Sequence, residues 1–166
     1  MRIRSLFLAA LSACLLAGCS PTYNWRDHTS ADGSYRVMFP AKPATHTRNI
    51  DLGGIRVDMT MTGADVEGAA FVVGTALMPD AALAQASLPA LRQALLRNIG
   101  AADGAAAARP NAAALDVDAT TSDGKLRLVG RFVAKGARIY QVIVVGPPKT
   151  MPPEQADQFL TSFAPQ

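Results

Sequence analysis

Cysteine and histidine are scarce in this chain, which has two of each among its 166 residues. Cys14 lies within an N-terminal apolar segment, so only Cys19 remains if that segment is removed. A single cysteine excludes an intramolecular disulfide and a zinc site built from several thiolates. His28 and His46 stand in no recognisable nucleophile or metal-ligand motif, and the glycine-rich stretches lack the spacing of a phosphate-binding loop. We therefore expect no enzyme activity, no catalytic residue, no metal and no cofactor.

Charged residues are also few, at 17% of the chain, and they do not cluster by sign. Of the 16 basic residues, Arg2 and Arg4 lie in the N-terminal segment, which leaves 14 basic against 13 acidic residues. Nucleic-acid binding requires a cluster of basic side chains facing the phosphates. The interspersed charges therefore exclude nucleic acid as a partner.

Aromatic residues make up only 6% of the chain, whereas 31 of the 166 residues are alanine. The core must therefore rest on few large side chains, although an apolar content of 49% is typical of a folded protein. Without its first 18 residues the chain has 148, which is the size of one domain.

The N-terminal segment carries the strongest motif. Its apolar run from Leu6 to Leu16 has the length of a signal-peptide core and is shorter than the roughly 20 residues of a membrane-spanning helix. The run ends in Leu16-Ala17-Gly18-Cys19, which resembles the lipobox of bacterial lipoproteins. This resemblance implies a signal peptide over residues 1–18, cleavage between Gly18 and Cys19, and acylation of Cys19. The alternative is an ordinary secretory signal that happens to contain a cysteine.

The predicted lipid anchor places the protein at a membrane of the cell envelope. Several acyl chains give stable attachment because each buried methylene contributes about 0.8 kcal/mol. Ser20 follows the cysteine where an aspartate would favour the inner membrane, so we expect the outer membrane, with the domain facing the periplasm. Residues 19–33 are predicted to be a polar tether. Within it, Tyr23 and Trp25 either cap the core, which we favour, or lie at the lipid interface.

Residues 34–166 are predicted to form one α+β domain with a largely antiparallel sheet. The strands are indicated by alternating or continuous apolar residues between turn-forming glycines and prolines. Residues 69–77 and 137–145 are apolar on both faces, as central strands are. The remaining strands are predicted at 35–39, 45–51, 55–62, 115–122 and 125–134.

Two helices are predicted to pack on this sheet. Pro89 lies too deep for one uninterrupted helix, so we expect a turn over residues 80–86 and a helix capped by Ser87 that ends at Gly100. A second helix is predicted to begin near Pro153. The alanine-rich segment 101–114 is either a mobile loop, which we favour, or a helical extension.

The phrases SYRVMFPAKP, RIYQVIVVG and QFLTSF, with DGK in the hairpin before the last strand, together resemble PsbP-like domains. These domains include bacterial lipoproteins of the DcrB type. The similarity covers residues 33–164 and implies an α/β/α sandwich. Members of this group serve mostly as binding or assembly modules, and the matching phrases carry no site residue.

The candidate partner-binding residues are Arg127, Arg131, Arg138 and Tyr140, which are predicted to share one face of the last hairpin. If Ala134 pairs with Ala137, Arg131 lies opposite Tyr140, close enough for a cation–π contact. Such a patch can receive an acidic protein or anionic lipid head groups. The alternative is a solvated sheet face balanced by nearby aspartates.

Asp116 and Asp118 project from one face of a strand, and with Asp123 they are candidate calcium ligands. Their spacing does not match a calcium-binding loop. We therefore favour an edge strand that its charges keep soluble.

These features favour a non-enzymatic, lipid-anchored envelope protein that acts as a protein-interaction or accessory module in the periplasm. Its protein partner is not identified by the sequence. The alternative is a lipoprotein that binds a lipid or metabolite in a cleft between the sheet and the alanine-rich segment.

Overall fold

The structure, a computed structural model, describes residues 21–101 and 114–166. The predicted signal peptide, the Gly18–Cys19 cleavage site and most of the alanine-rich segment lie outside the described residues. Within the described part, no helix is long and apolar enough to cross a membrane. The elements follow in the order β1 (Arg26–Thr29), β2 (Tyr35–Phe39), β3 (Ala44–Leu52), β4 (Ile55–Val66), β5 (Ala69–Leu77), α1 (Ala81–Ile99), β6 (Ala114–Thr120), β7 (Arg127–Lys135), β8 (Arg138–Gly146), a 3-10 turn (Pro148–Thr150), α2 (Pro153–Ser162) and β9 (Ala164–Pro165).

Six strands form one antiparallel sheet in the order β3-β4-β5-β8-β7-β6. β5 and β8 lie side by side at its centre. Phe71 and Val73 of β5 are buried on one face together with Val142 and Val144 of β8. The central position of both strands, which their continuous apolar sequence predicts, is confirmed.

One face of the large sheet is covered by α1. Its cap is Asp80 rather than Ser87, since Asp80 Oδ1 accepts a hydrogen bond from the Leu83 N–H at 2.8 Å. The helix ends at Gly100, as predicted, because this residue adopts the left-handed conformation that glycine tolerates best.

The predicted interruption of α1 before Pro89 was wrong, since Pro89 lies inside the helix. A proline at an interior helical position costs about 3 kcal/mol. Leu88 and Leu91 are both buried against the sheet, and each buried leucine contributes roughly 1.5–3 kcal/mol. Packing on the sheet therefore offsets the lost backbone hydrogen bond.

The opposite face of the large sheet carries a smaller sheet, in the order β1-β2-β9, and the helix α2. Tyr35, Val37 and Phe39 of β2 point into the core there and meet Phe159 of α2. The molecule thus has three layers, which are α1, the six-stranded sheet, and the small sheet with α2. This arrangement confirms the predicted α+β class with helices packed on an antiparallel sheet.

The N-terminal part of the described chain belongs to the domain. Residues 26–29 form β1 and pair with β2, so the predicted tether through residue 33 was wrong for this stretch. Tyr23 and Trp25 pack edge-on against Phe71, with ring centroids 6.3 and 6.1 Å away. Trp25 Nε1 donates a hydrogen bond to Gln155 Oε1 at 3.1 Å. The prediction that Tyr23 and Trp25 cap the core is therefore confirmed. Their rings add large apolar surfaces to a core that contains many small alanine side chains.

Candidate ligand-binding groove

Arg127 and Arg131, two of the predicted partner-binding residues, are each engaged by an aspartate of the neighbouring strand β6. Arg127 donates two hydrogen bonds to Asp118, at 3.0 and 2.8 Å. Arg131 Nε donates to Asp116 at 2.7 Å. The aspartates balance the arginine charges, so this face offers no excess positive charge to an acidic partner. The same pairs explain the two aspartates that were considered as calcium ligands.

Tyr140 is not a surface residue, and its assignment to a partner-binding patch was wrong. It is 1% exposed, and its hydroxyl donates a hydrogen bond to the Ser34 carbonyl oxygen at 2.9 Å. The predicted strand register was also wrong, because Ala134 pairs with Ile139 and Arg131 lies opposite Val142. No cation–π contact between Arg131 and Tyr140 follows from this register.

The fourth residue of the predicted patch, Arg138, lies apart from Arg127 and Arg131. Its Nη1 forms an ion pair with Asp32 Oδ2 at 3.1 Å. Asp32 is in the turn between β1 and β2, so this pair links the small sheet to the end of β8. Arg138 thereby closes one end of a groove that sequence reasoning missed.

This groove, called the threonine groove below, has a volume of about 460 Å³ and lies between residues 28–32 and the large sheet. Its floor consists of hydroxyl-bearing side chains on three adjacent strands, and one wall is Tyr35. Thr45 and Thr62 share a hydrogen bond of 3.0 Å. The floor residues are Thr45 of β3, Thr60 and Thr62 of β4, and Thr75 of β5.

Thr75 is the residue on this floor whose hydroxyl lacks a partner. Its side chain is 5% exposed, and Oγ1 has no hydrogen-bond partner among the described residues. Its neighbours across the sheet are Thr60 on one side and Tyr140 on the other. A buried hydroxyl without a partner costs about 1–3 kcal/mol. The fold therefore retains, beside the groove, a polar group that no described residue satisfies.

The turn that roofs the threonine groove is held by short-range hydrogen bonds. Ser30 Oγ donates to Asp32 Oδ1 at 2.8 Å and accepts from the Tyr35 N–H at 3.1 Å. Burial raises the pKa of Asp32, but hydrogen bonds from Ser30 and Ser34 and the charge of Arg138 together outweigh it and lower this pKa to about 2. Asp32 is thus ionised at neutral pH and holds the roof to β8.

The electrostatics of the threonine groove disfavour anions. Two carboxylates line it, those of Asp32 and Asp58, and its arginine, Arg138, is already paired. Burial lowers the pKa of His28, so this side chain is neutral at pH 7. The groove therefore presents hydrogen-bonding groups without a free positive charge.

The two histidines that were considered for catalysis lie in different surroundings. His28 lines the groove, and its ring contacts are with Tyr35 and Phe39. The hydroxyl proton of the nearby Ser30 goes to Asp32 instead. His46 is an exposed residue of β3, where it pairs with Met61. In the described ranges, no three His, Cys, Asp or Glu side chains are placed to hold a metal ion.

The location of the groove differs from the cleft that the ligand-binding alternative assumed. That cleft involved the alanine-rich segment, of which residues 102–113 lie outside the described residues. A signal for the observed groove was available, since Thr45 with Thr47 and Thr60 with Thr62 place hydroxyls at alternate positions of two paired strands. What the sequence did not indicate is that β2 and its turn fold over this face.

Comparison with known proteins assigns no family to this chain. No family model matches it, and neither does any curated protein or solved structure. The resemblance to PsbP-like domains therefore stays a prediction.

Proposed function

We propose that this protein is a non-enzymatic, lipid-anchored envelope protein whose periplasmic domain binds a small ligand in the threonine groove. The observation that carries the proposal is the buried hydroxyl of Thr75, a lining residue of the groove, which has no hydrogen-bond partner in the described part of the chain. The volume of about 460 Å³ is within the range of roughly 300–1,000 Å³ that is usual for small-molecule sites. The protein-interaction function that the sequence favoured loses its candidate binding surface, because Arg127 and Arg131 are paired with aspartates and Tyr140 is buried.

The groove is separated from the place where the described chain enters the domain. The chain enters the domain at Tyr23, four residues after Cys19, and packs there against Phe71. Thr75 lies four residues further along the same strand, about 13 Å away at the usual rise per residue. The groove thus lies toward the other end of β5 from the place where the described chain enters the domain.

Native mass spectrometry of the full-length lipoprotein, expressed in a Gram-negative host and released from membranes in detergent, tests this function. We expect a non-covalent mass on the wild type that disappears in Thr60→Trp, because the indole fills the groove from its floor. Thr47→Trp is the matched control. Thr47 shares a 2.9 Å hydroxyl hydrogen bond with Thr60, so both variants lose that bond, but Thr47 does not line the groove.

Two outcomes would refute the ligand-binding function. One is a bound mass that Thr60→Trp retains at the wild-type level. The other is a wild-type protein that carries no additional mass from any host membrane or periplasmic extract with which it is incubated.

A second candidate function, protein interaction, is favoured by the edge strand β3. This nine-residue strand is outermost in the large sheet and pairs only with β4 within the described residues. Its outer backbone groups can accept an extended segment of another chain as an added strand. A photo-crosslinking residue at position 46, compared with one at position 158 on α2, would test this in cells. One discrete partner captured from position 46 alone would support the interaction function, and equal capture from both positions would oppose it.

A further inference from the structure

We infer that the threonine groove is selective for a hydroxyl-rich, non-anionic ligand of the sugar class. This inference rests on the ligand-binding function proposed above and specifies its ligand. It follows from the hydrogen-bonding capacity of the floor, the charges of the lining and the apolar surfaces at the rim.

The floor offers both donors and acceptors. A threonine hydroxyl has one hydrogen to donate and two lone pairs, so a single bond between two hydroxyls leaves capacity on both. On the floor, Thr45 and Thr62 are joined by one such bond, and Thr60 makes one to Thr47, which lies outside the groove. The Thr75 hydroxyl makes no hydrogen bond to residues 21–101 or 114–166, so its donor and both lone pairs are unused there. A ligand with several hydroxyls, each also a donor and an acceptor, matches this floor.

A carboxylate extends the acceptor set at one end of the floor. Asp58 Oδ1 accepts a hydrogen bond from Asn49 Nδ2 at 3.0 Å, and an ionised carboxylate has lone pairs for further donors. His28 also lines the groove, and burial lowers its pKa, which favours the uncharged ring there. Hydroxyl or ammonium donors of a sugar or amino sugar suit these groups.

The charges in the lining argue against phosphates and carboxylates. Arg138 is engaged with Asp32, and Asp58 adds a second negative charge. An anionic ligand would have to displace Asp32 from Arg138 or lie beside an unbalanced carboxylate. Because both alternatives are unfavourable, the groove rejects anionic versions of an otherwise suitable ligand.

The apolar part of the lining is at the rim and suits the carbon-bound face of a sugar ring. Leu77 is 61% exposed, the one large apolar side chain so exposed in the described ranges. Tyr35 also lines the groove, but it is 2% exposed and its ring packs against Tyr140 and Phe163, so Leu77 supplies the exposed apolar surface. An acyl chain, in contrast, would cover the threonine hydroxyls without offering them hydrogen bonds, which is costly for groups removed from water.

Isothermal titration of the full-length lipoprotein, in a zwitterionic detergent that carries no sugar, tests the ligand class. The probes are glucose, maltose, N-acetylglucosamine, glucosamine, glucose 6-phosphate and dodecanoate. We expect at least one neutral or amino sugar to bind with saturable heat, and glucose 6-phosphate to bind at least tenfold more weakly than that sugar. Thr60→Trp should weaken sugar binding more than tenfold and Thr75→Val about fivefold, whereas Thr47→Trp should bind as the wild type does.

The contradicting outcomes separate this inference from the proposed function. If dodecanoate or glucose 6-phosphate binds more tightly than every sugar and Thr60→Trp abolishes that binding, the ligand class is wrong while ligand binding by the groove stands. If no sugar binds at millimolar concentration, the sugar inference is also overturned. Native mass spectrometry does not depend on the class of ligand. Its result for the wild type and Thr60→Trp then tests the ligand-binding function independently.

Discussion

Replacing Thr75 by valine removes a buried hydroxyl that has no hydrogen-bond partner in the described part of the chain. Valine has nearly the same shape, so the variant exchanges one hydroxyl for a methyl group and leaves no cavity. An unsatisfied buried hydroxyl costs about 1–3 kcal/mol. Removing this cost stabilises the fold, but part of the stabilisation is lost because the new methyl group must pack into a site that is only 5% exposed. We expect the ligand-free variant to be about 1–2 kcal/mol more stable than the wild type.

The assay is thermal unfolding of the ligand-free protein, followed by circular dichroism. In a domain of this size, 1 kcal/mol corresponds to about 2–4 °C in Tm, so Thr75→Val should raise Tm by about 2–8 °C. Saturating ligand should narrow this difference by about 1 kcal/mol, because the fivefold weaker binding expected for Thr75→Val corresponds to RT ln 5.

Thr62→Val is the matched control for this prediction. Thr62 is also buried on the groove face, at 3% exposure, but its hydroxyl bonds to Thr45 at 3.0 Å. Removing the Thr62 hydroxyl breaks this hydrogen bond, so the variant should be about 0.5–1.5 kcal/mol less stable than the wild type. A fall in Tm for Thr75→Val that equals the fall for Thr62→Val would refute the reasoning, since the Thr75 hydroxyl would then be satisfied within the fold.

Three further predictions concern the roof, the sheet and the anchor. The pKa of Asp32 is about 2, below its ordinary value, so the ionised carboxylate stabilises the fold above pH 4 and this stabilisation is lost as the pH falls toward 2. Asp32→Asn should therefore lose less Tm than the wild type between pH 4 and pH 2. Plots of Tm against pH that run parallel for the two proteins would contradict this. Gly130→Ala places a Cβ 2.7 Å from Ile143 Cγ2 and 2.8 Å from the Val142 carbonyl oxygen. The free energy of unfolding measured in urea should therefore fall by about 1–3 kcal/mol. An unchanged urea midpoint would be inconsistent with this packing. Cys19→Ser should leave the protein unprocessed or soluble in cell fractionation, and unchanged recovery in the membrane fraction would argue against lipidation.

The sequence predicted those elements whose pattern is local. β5 was predicted at its observed limits because residues 69–77 are apolar on both faces and end at turn-forming residues. The β3–β4 hairpin was predicted from Gly53-Gly54, which has positive φ at both residues. α2 was predicted from apolar residues at helical spacing after Pro152-Pro153.

The register of the last hairpin shows where local reasoning failed. The turn was placed at Lys135-Gly136, whereas the structure joins Lys135 to Arg138 across Gly136 and Ala137. Moving a two-residue turn by one position changes the pairing by two residues, and this shift moves Arg131 away from Tyr140. Gly136 has a φ of 57°, so it occupies the first central position of the turn, which a left-handed glycine suits.

The threonine groove depends on contacts between distant parts of the chain, so no local pattern predicted it. Its floor comes from β3, β4 and β5, and its roof comes from the turn before β2. β2 was predicted as a strand, but not as part of a separate sheet that lies over the first. The two-residue strand β9, which completes that small sheet, gave no recognisable signal.

Hydrogen–deuterium exchange of the full-length lipoprotein, with and without the small-molecule fraction of an envelope extract, tests the central claim most directly. Binding in the threonine groove predicts protection of peptides that cover residues 28–35, 58–62 and 75–77. The same extract should give no protection of these peptides in Thr60→Trp and full protection in Thr47→Trp. Unchanged exchange in all three peptides, or protection confined to β3, would contradict ligand binding in the groove.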